Sequence, residues 1–136
     1  MIFEADCIAR DGHTNLYKFH ILQEGRIYRV NIANEDGTPN WGIITFTFTF
    51  FDENTLHFSN MYIENDDYKM KGIPEAVIIG LARKMKKTIV SSTQLKDNGE
   101  HLHEPAKKVW ERLVNKKLVY FDENLERFKT KINGIL

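Results

Sequence analysis

The chain has 136 residues, 42% hydrophobic and 28% charged, with 19 basic and 19 acidic side chains and a single cysteine. That length suits one domain spanning 1–136, with enough apolar material for a core that needs neither disulfides nor a structural metal. The composition excludes a disordered chain, Cys7 alone excludes an internal disulfide or a multi-cysteine zinc site, and no apolar run reaches the ~18 residues of a membrane span.

The first fifteen residues carry no clear period and are read as at most one edge strand. Residues 16–22 and 26–32 form a hairpin around Gln23-Glu24-Gly25. After the turn-rich loop Glu35-Asp36-Gly37-Thr38-Pro39-Asn40 comes the clearest strand, 43–51. There Ile44, Phe46, Phe48 and Phe50 fall on one face and Thr45, Thr47 and Thr49 on the other. Asp52-Glu53-Asn54 turns the chain into an antiparallel partner at 55–64. From Ile73 the period becomes helical, with Val77, Ile78, Leu81, Ala82 and Met85 on one side. Pro74 suits a first helical turn, and Arg83, Lys84, Lys86 and Lys87 suit the negative end of the dipole. A short strand at 88–93 and a polar loop at 94–103 lead to a second helix, 105–117. Its apolar stripe is Ala106, Val109, Trp110, Leu113 and Val114. A hairpin of 118–121 and 126–132 closes the chain. The fold class is α/β of the mixed α+β kind: a mostly antiparallel twisted sheet, two main helices and a C-terminal hairpin.

Charge is divided along the chain. Residues 1–68 hold four basic and eleven acidic side chains, −7, and residues 69–136 hold fifteen and eight, +7. The basic half suits an anion, or else two basic helices offset an acidic half within one fold. The segment Tyr68-Lys69-Met70-Lys71-Gly72-Ile73-Pro74-Glu75 leaves a strand and enters a helix through a glycine. Such a turn offers free backbone N–H groups and a positive dipole end to a phosphate, with lysines adding charge.

In that context the sequence resembles the GCN5-related N-acetyltransferases, which share an Arg/Gln-x-x-Gly-x-Gly/Ala motif between strand and helix. Lys69-Met70-Lys71-Gly72-Ile73-Pro74 occupies that place, with Lys69 for Arg or Gln and Pro74 for the last small residue. The family's later Asn-x-x-Ala-x-x-x-Tyr helix is resembled by His103-Glu104-Pro105-Ala106-Lys107-Lys108-Val109-Trp110, with His for Asn and Trp for Tyr. The resemblance spans about 43–132 and implies an acyl-CoA N-acyltransferase-like fold. It implies that the backbone of Met61, Tyr62 and Ile63 pairs with the pantetheine arm of acetyl-CoA, where this strand splays from 89–93. It also implies that the N–H groups of Lys69, Met70, Lys71, Gly72 and Ile73 hold the pyrophosphate. An amine, small-molecule or peptide, would attack the acyl carbonyl directly. Glu64 is the carboxylate placed to act as base, or else a plain loop acid beside Asn65, Asp66 and Asp67. Trp110 supplies no acid for the leaving thiolate and suits core packing, so a binding module of the same fold without turnover is the alternative.

Other chemistry weighs less. His101-Leu102-His103-Glu104 has ligand-type side chains but no third ligand fixed nearby by the sequence, so no metal site is expected. Cys7 has no activating neighbour in sequence, and no Ser-His-Asp layout is visible. Residues 105–132 also resemble the recognition helix and wing of a winged-helix domain. Nucleic acid would then meet Lys107, Lys108, Arg112, Lys116 and Lys117, although the two upstream helices of that fold are missing from the reading. The opening Met1 to Asp6 lacks a signal-peptide layout, so a reducing cytoplasm is the expected location, without a membrane. The strand 43–51 is suited to the middle of a sheet or to pairing across a homodimer.

Overall fold

Side chains that alternate in the first half and recur at helical spacing in the second give a sheet covered by two helices. The computed structural model describes residues 1–40, 44–63, 69–93 and 102–131. In chain order the elements are β1 (Ile2–Ile8), β2 (Thr14–Glu24), β3 (Ile27–Ile32), β4 (Ile44–Asp52), β5 (Thr55–Ile63), α1 (Ile73–Met85), β6 (Thr88–Val90), α2 (Glu104–Asn115), β7 (Val119–Asp122) and β8 (Arg127–Thr130). The strands form one sheet in the order β1-β2-β3-β4-β5-β6-β8-β7. Every neighbouring pair is antiparallel except β5 and β6, which are parallel. The chain is therefore mixed α+β, with a mostly antiparallel sheet, two helices and a C-terminal hairpin.

Both helices cover the face that bears the phenylalanines. Phe19, Val30, Phe46, Phe48 and Leu56 from the sheet form one core with Val77, Ile78 and Leu81 of α1 and Val109, Trp110 and Leu113 of α2. Trp110 stacks on Phe128 with centroids 6.2 Å apart and meets Phe58 edge-on at 6.4 Å. Gly80 lets the ring of Phe3 close onto α1, since a Cβ there would stand 2.6 Å from that ring. Thr45, Thr47 and Thr49 take the opposite face, where each is half-buried.

Several sequence expectations need correction. The first fifteen residues hold a full edge strand, paired with β2 from Ile2↔His20 to Ile8↔Thr14, so five strands precede α1. Its period is masked because Ile2 and Ile8, on the outward face, are as apolar as the inward Phe3 and Cys7. The strand expected at 88–93 ends at Val90. Ser91 is drawn to β8 instead: its N–H donates to Phe128 O, its carbonyl accepts from Arg127 Nη1, and its hydroxyl accepts the Phe128 N–H, each at 2.9 Å. Val114 lies off the apolar stripe of α2 and is 37% exposed. The winged-helix arrangement does not form. α2 stands between two strands, and the hairpin after it is built into the sheet through Val90↔Lys129. Glu64, residues 65–68 and most of the loop 94–103 lie outside the described residues.

Candidate functional site

The parallel pairing of β5 and β6 covers only Thr55↔Thr88, Leu56↔Ile89 and His57↔Val90. Beyond His57, β5 runs six residues further while the other chain turns to β8, so the sheet opens between them. Among the described residues no strand pairs with that edge of β5 from Phe58 to Ile63. Its peptide groups are offered to whatever enters the opening.

A bulge decides which side chains face the opening's helix side. Thr47 pairs with Asn60 and Phe48 with Phe58, leaving Ser59 as an extra residue. The extra residue reverses the alternation, so Met61 and Ile63 join the phenylalanine face and Tyr62 points away, 51% exposed. Of the three residues expected on this strand, Met61 and Ile63 line the cleft described next, and Tyr62 can contribute only its backbone.

That cleft, about 710 Å³, lies between the end of β1, the end of β5, the start of α1 and one face of α2. Lys69, Met70 and Gly72 line it as expected, whereas Lys71 is not among its walls. Ile73 is fully buried beneath the first turn of α1, so its part would be its N–H. No side chain caps this helix at Gly72. Among the described residues, five cationic side chains line the cleft, Arg10, Lys69, Lys108, Arg112 and Lys116, against two acidic ones, Glu75 and Glu104. Lys108, Arg112 and Lys116 recur every fourth residue along α2 and its C-cap, and so share one face. Arg10 arrives from the other half of the chain, held where its N–H donates to Met70 O at 3.2 Å.

The floor of the cleft carries a half-buried ion pair that no sequence pattern announces. Glu75, 6% exposed in the first turn of α1, accepts a hydrogen bond from Arg112 Nε on α2. Its second oxygen, Oε2, is buried without a partner. Cys7 lies close enough to feel that charge. Burial, then Asp6 and Glu75, push its thiol up to about 12, so it is an inert core group and not a nucleophile.

A smaller cavity of about 180 Å³ adjoins the cleft, sharing Met61 and Pro105 with it. Phe58, Leu102, Ala106 and Trp110 give it apolar walls, and Ser59, Asn60, Ser92 and His103 border it as well. Ser92 Oγ lies 2.8 Å from His57 Nε2, and Thr49 Oγ1 lies 3.4 Å from His57 Nδ1. This contact spans the sheet just past the last parallel pair. Sequence reasoning missed it because 35 residues separate Ser92 from His57.

No protein-family model and no curated protein matches this sequence. Function must therefore be argued from the site. Among the described residues, no group of three His, Cys, Asp or Glu side chains could hold a metal ion, and no helix is long and apolar enough to cross a membrane. Tyr120 sits on the outermost strand β7 and lines neither cavity, so it offers the leaving thiolate no proton from there.

Proposed function

We propose that the chain binds an acyl-coenzyme A and transfers its acyl group to an amine by direct attack. The observation that carries this reading is the opening between two parallel strands, one edge unpaired, beside a cationic cleft at an uncapped helix N-terminus. From β4 onward the order of elements, antiparallel strands, a helix, a parallel strand, a second helix and a final hairpin, supports the resemblance to the GCN5-related N-acetyltransferases, although no helix interrupts the opening strands as in that family. Two parts of the cofactor have chemically matched counterparts. The pantetheine amides would pair with the free edge of β5 near Met61 to Ile63. The phosphates would take the first N–H groups of α1 with Lys69, Lys108 and Lys116 around them. In the reaction the amine nitrogen bonds to the acyl carbon, the carbon–sulfur bond breaks, and the amine proton leaves to a base. Glu64 remains the sequence's candidate for that base.

Thermal unfolding with acetyl-CoA, free coenzyme A and ATP tests the reading. At 100 times the dissociation constant a ligand stabilises the fold by about 2.7 kcal/mol, a clear rise in melting temperature. Both coenzyme A species should raise it and ATP should not. Lys108→Glu and Lys116→Glu should each abolish the response, because they reverse charge on the cleft face of α2. No response from the wild-type chain would overturn the reading.

A module that binds without turnover is favoured by one observation. Trp110 stands where the resemblance expects a tyrosine and is 1% exposed, locked between Phe58 and Phe128. α2 therefore brings no hydroxyl to the thiolate from that position. Binding of acetyl-CoA without acetylation of any amine in a broad acceptor screen would select this second reading.

A further inference from the structure

We propose that Glu75 is a positioning residue: it fixes the Arg112 guanidinium so that Arg112 grips the pyrophosphate of the bound acyl-coenzyme A. The inference rests on the acyl-coenzyme A reading. It adds a directional phosphate contact, which lysines as point charges do not supply.

Three observations carry it. Glu75 sits in the first turn of α1, the turn whose N–H groups would meet a phosphate, and is 6% exposed. A bare carboxylate there would repel the ligand, and Arg112 Nε, donating to Glu75 Oε1, offsets that charge. The contact is also single. Glu75 Oε2 accepts nothing, and among the described residues the Arg112 guanidinium has no further hydrogen bond or ion pair. Both of its Nη groups therefore stay uncommitted. Finally, Arg112 lines the cleft with its side chain 36% exposed, and Lys108 and Lys116 stand one turn to either side.

A guanidinium anchored through Nε loses the freedom to turn about its last bonds. What remains is a planar Nη fork, the shape that takes two phosphate oxygens at once. Glu75 ties the first turn of α1 to this fork. A pyrophosphate with one phosphate on the N–H groups of that turn can set its other phosphate on Arg112. The buried carboxylate thus serves an anion site that its own charge would oppose.

The test turns on that sign. Dissociation constants for acetyl-CoA are measured by isothermal titration calorimetry. Glu75→Met removes a negative charge from an anion site, so charge alone would tighten binding. Loss of the anchor should instead weaken it about tenfold, the worth of one hydrogen bond to a charged group. Glu75→Gln, whose amide oxygen still accepts from Nε, should recover most of that loss. Arg112→Lys should weaken binding about tenfold although the charge is kept, and Glu75→Met should cost no more in that background. Urea midpoints establish that each variant is folded. Arg112→Lys keeps a cation beside Glu75 and carries the test where Glu75→Met is too unstable. Equal or tighter binding in Glu75→Met, or wild-type affinity in Arg112→Lys, overturns the proposal and leaves the acyl-coenzyme A reading standing. No binding by the wild-type chain overturns both.

Discussion

Ile8 and Gly72 hold their main chains so close that a Cβ at residue 72 would stand 2.3 Å from the Ile8 carbonyl oxygen. Gly72 has φ +75°, which already disfavours any side chain. The glycine that resembles a cofactor-loop residue thus has a second duty. It lets the end of β1 seat against the start of α1, which is how Ile8, Ala9 and Arg10 come to line the cleft.

Gly72→Ala should therefore destabilise the fold, by about 2–4 kcal/mol, from left-handed strain plus the displaced Ile8 backbone. Urea unfolding measures this directly. A larger side chain such as Gly72→Glu meets the same backbone and tests folding before it tests ligand binding. An unchanged midpoint in Gly72→Ala would show that β1 is not seated there.

Arg112→Met should cost about 1–3 kcal/mol, because it leaves the Glu75 carboxylate buried among apolar neighbours. The value is held below that of a wholly buried pair because the Arg112 side chain is 36% exposed. The double variant with Glu75→Met should recover much of that loss, since an apolar pair no longer needs a partner. A double-mutant cycle in urea reads the coupling, and additive losses would refute it.

Trp110→Ala should remove about 3–5 kcal/mol, the usual cost of emptying a large aromatic site. Trp110→Tyr is the more informative change. It restores the residue type expected from the resemblance, but the hydroxyl would enter the core between Phe58 and Phe128. It should lower the denaturation midpoint without creating or raising acyl transfer.

Cys7 and His20 each make stability depend on pH. The Cys7 thiol ionises near 9.0 in the unfolded chain but only near about 12 when folded. Between those values the unfolded state binds fewer protons, so stability falls as pH rises. Cys7→Ala should flatten that slope. His20 has the opposite sense. Burial, then the N-terminal amino group, lower its folded value below 6.5, and its Nδ1 is buried without a partner. As pH falls through 6.5 the unfolded state takes up a proton that the folded state resists, so stability falls. His20→Gln should remove this acid-side loss, and denaturation midpoints across pH check both slopes.

Period-two patterning made the β2–β5 meander legible, and helical spacing made both helices legible. Ile44, Phe46 and Phe48 bury on one face as the alternation requires. What stayed hidden depends on events at single residues. The extra Ser59 reverses which side of β5 each side chain takes, and nothing in its own sequence marks it. The end of β6 at Val90 reflects hydrogen bonds between Ser91 and the distant Arg127 and Phe128. Part of the site was visible in Gly72 and Lys69, whereas Lys108, Arg112 and Lys116 stood out in the sequence only as contacts for nucleic acid. Glu75–Arg112 and Ser92–His57 were not, because each joins residues more than 30 positions apart.

The unpaired stretch of β5 is built of peptide groups, and every amino acid except proline supplies the same N–H and carbonyl. A surface of that kind places few demands on the identity of its residues. Outward-facing Tyr62 is free to vary there, whereas Phe58, Met61 and Ile63 are held by the core and the cleft that their side chains fill. The residues under real restraint are then those that hold the two strands apart, Ser91 and Arg127 foremost.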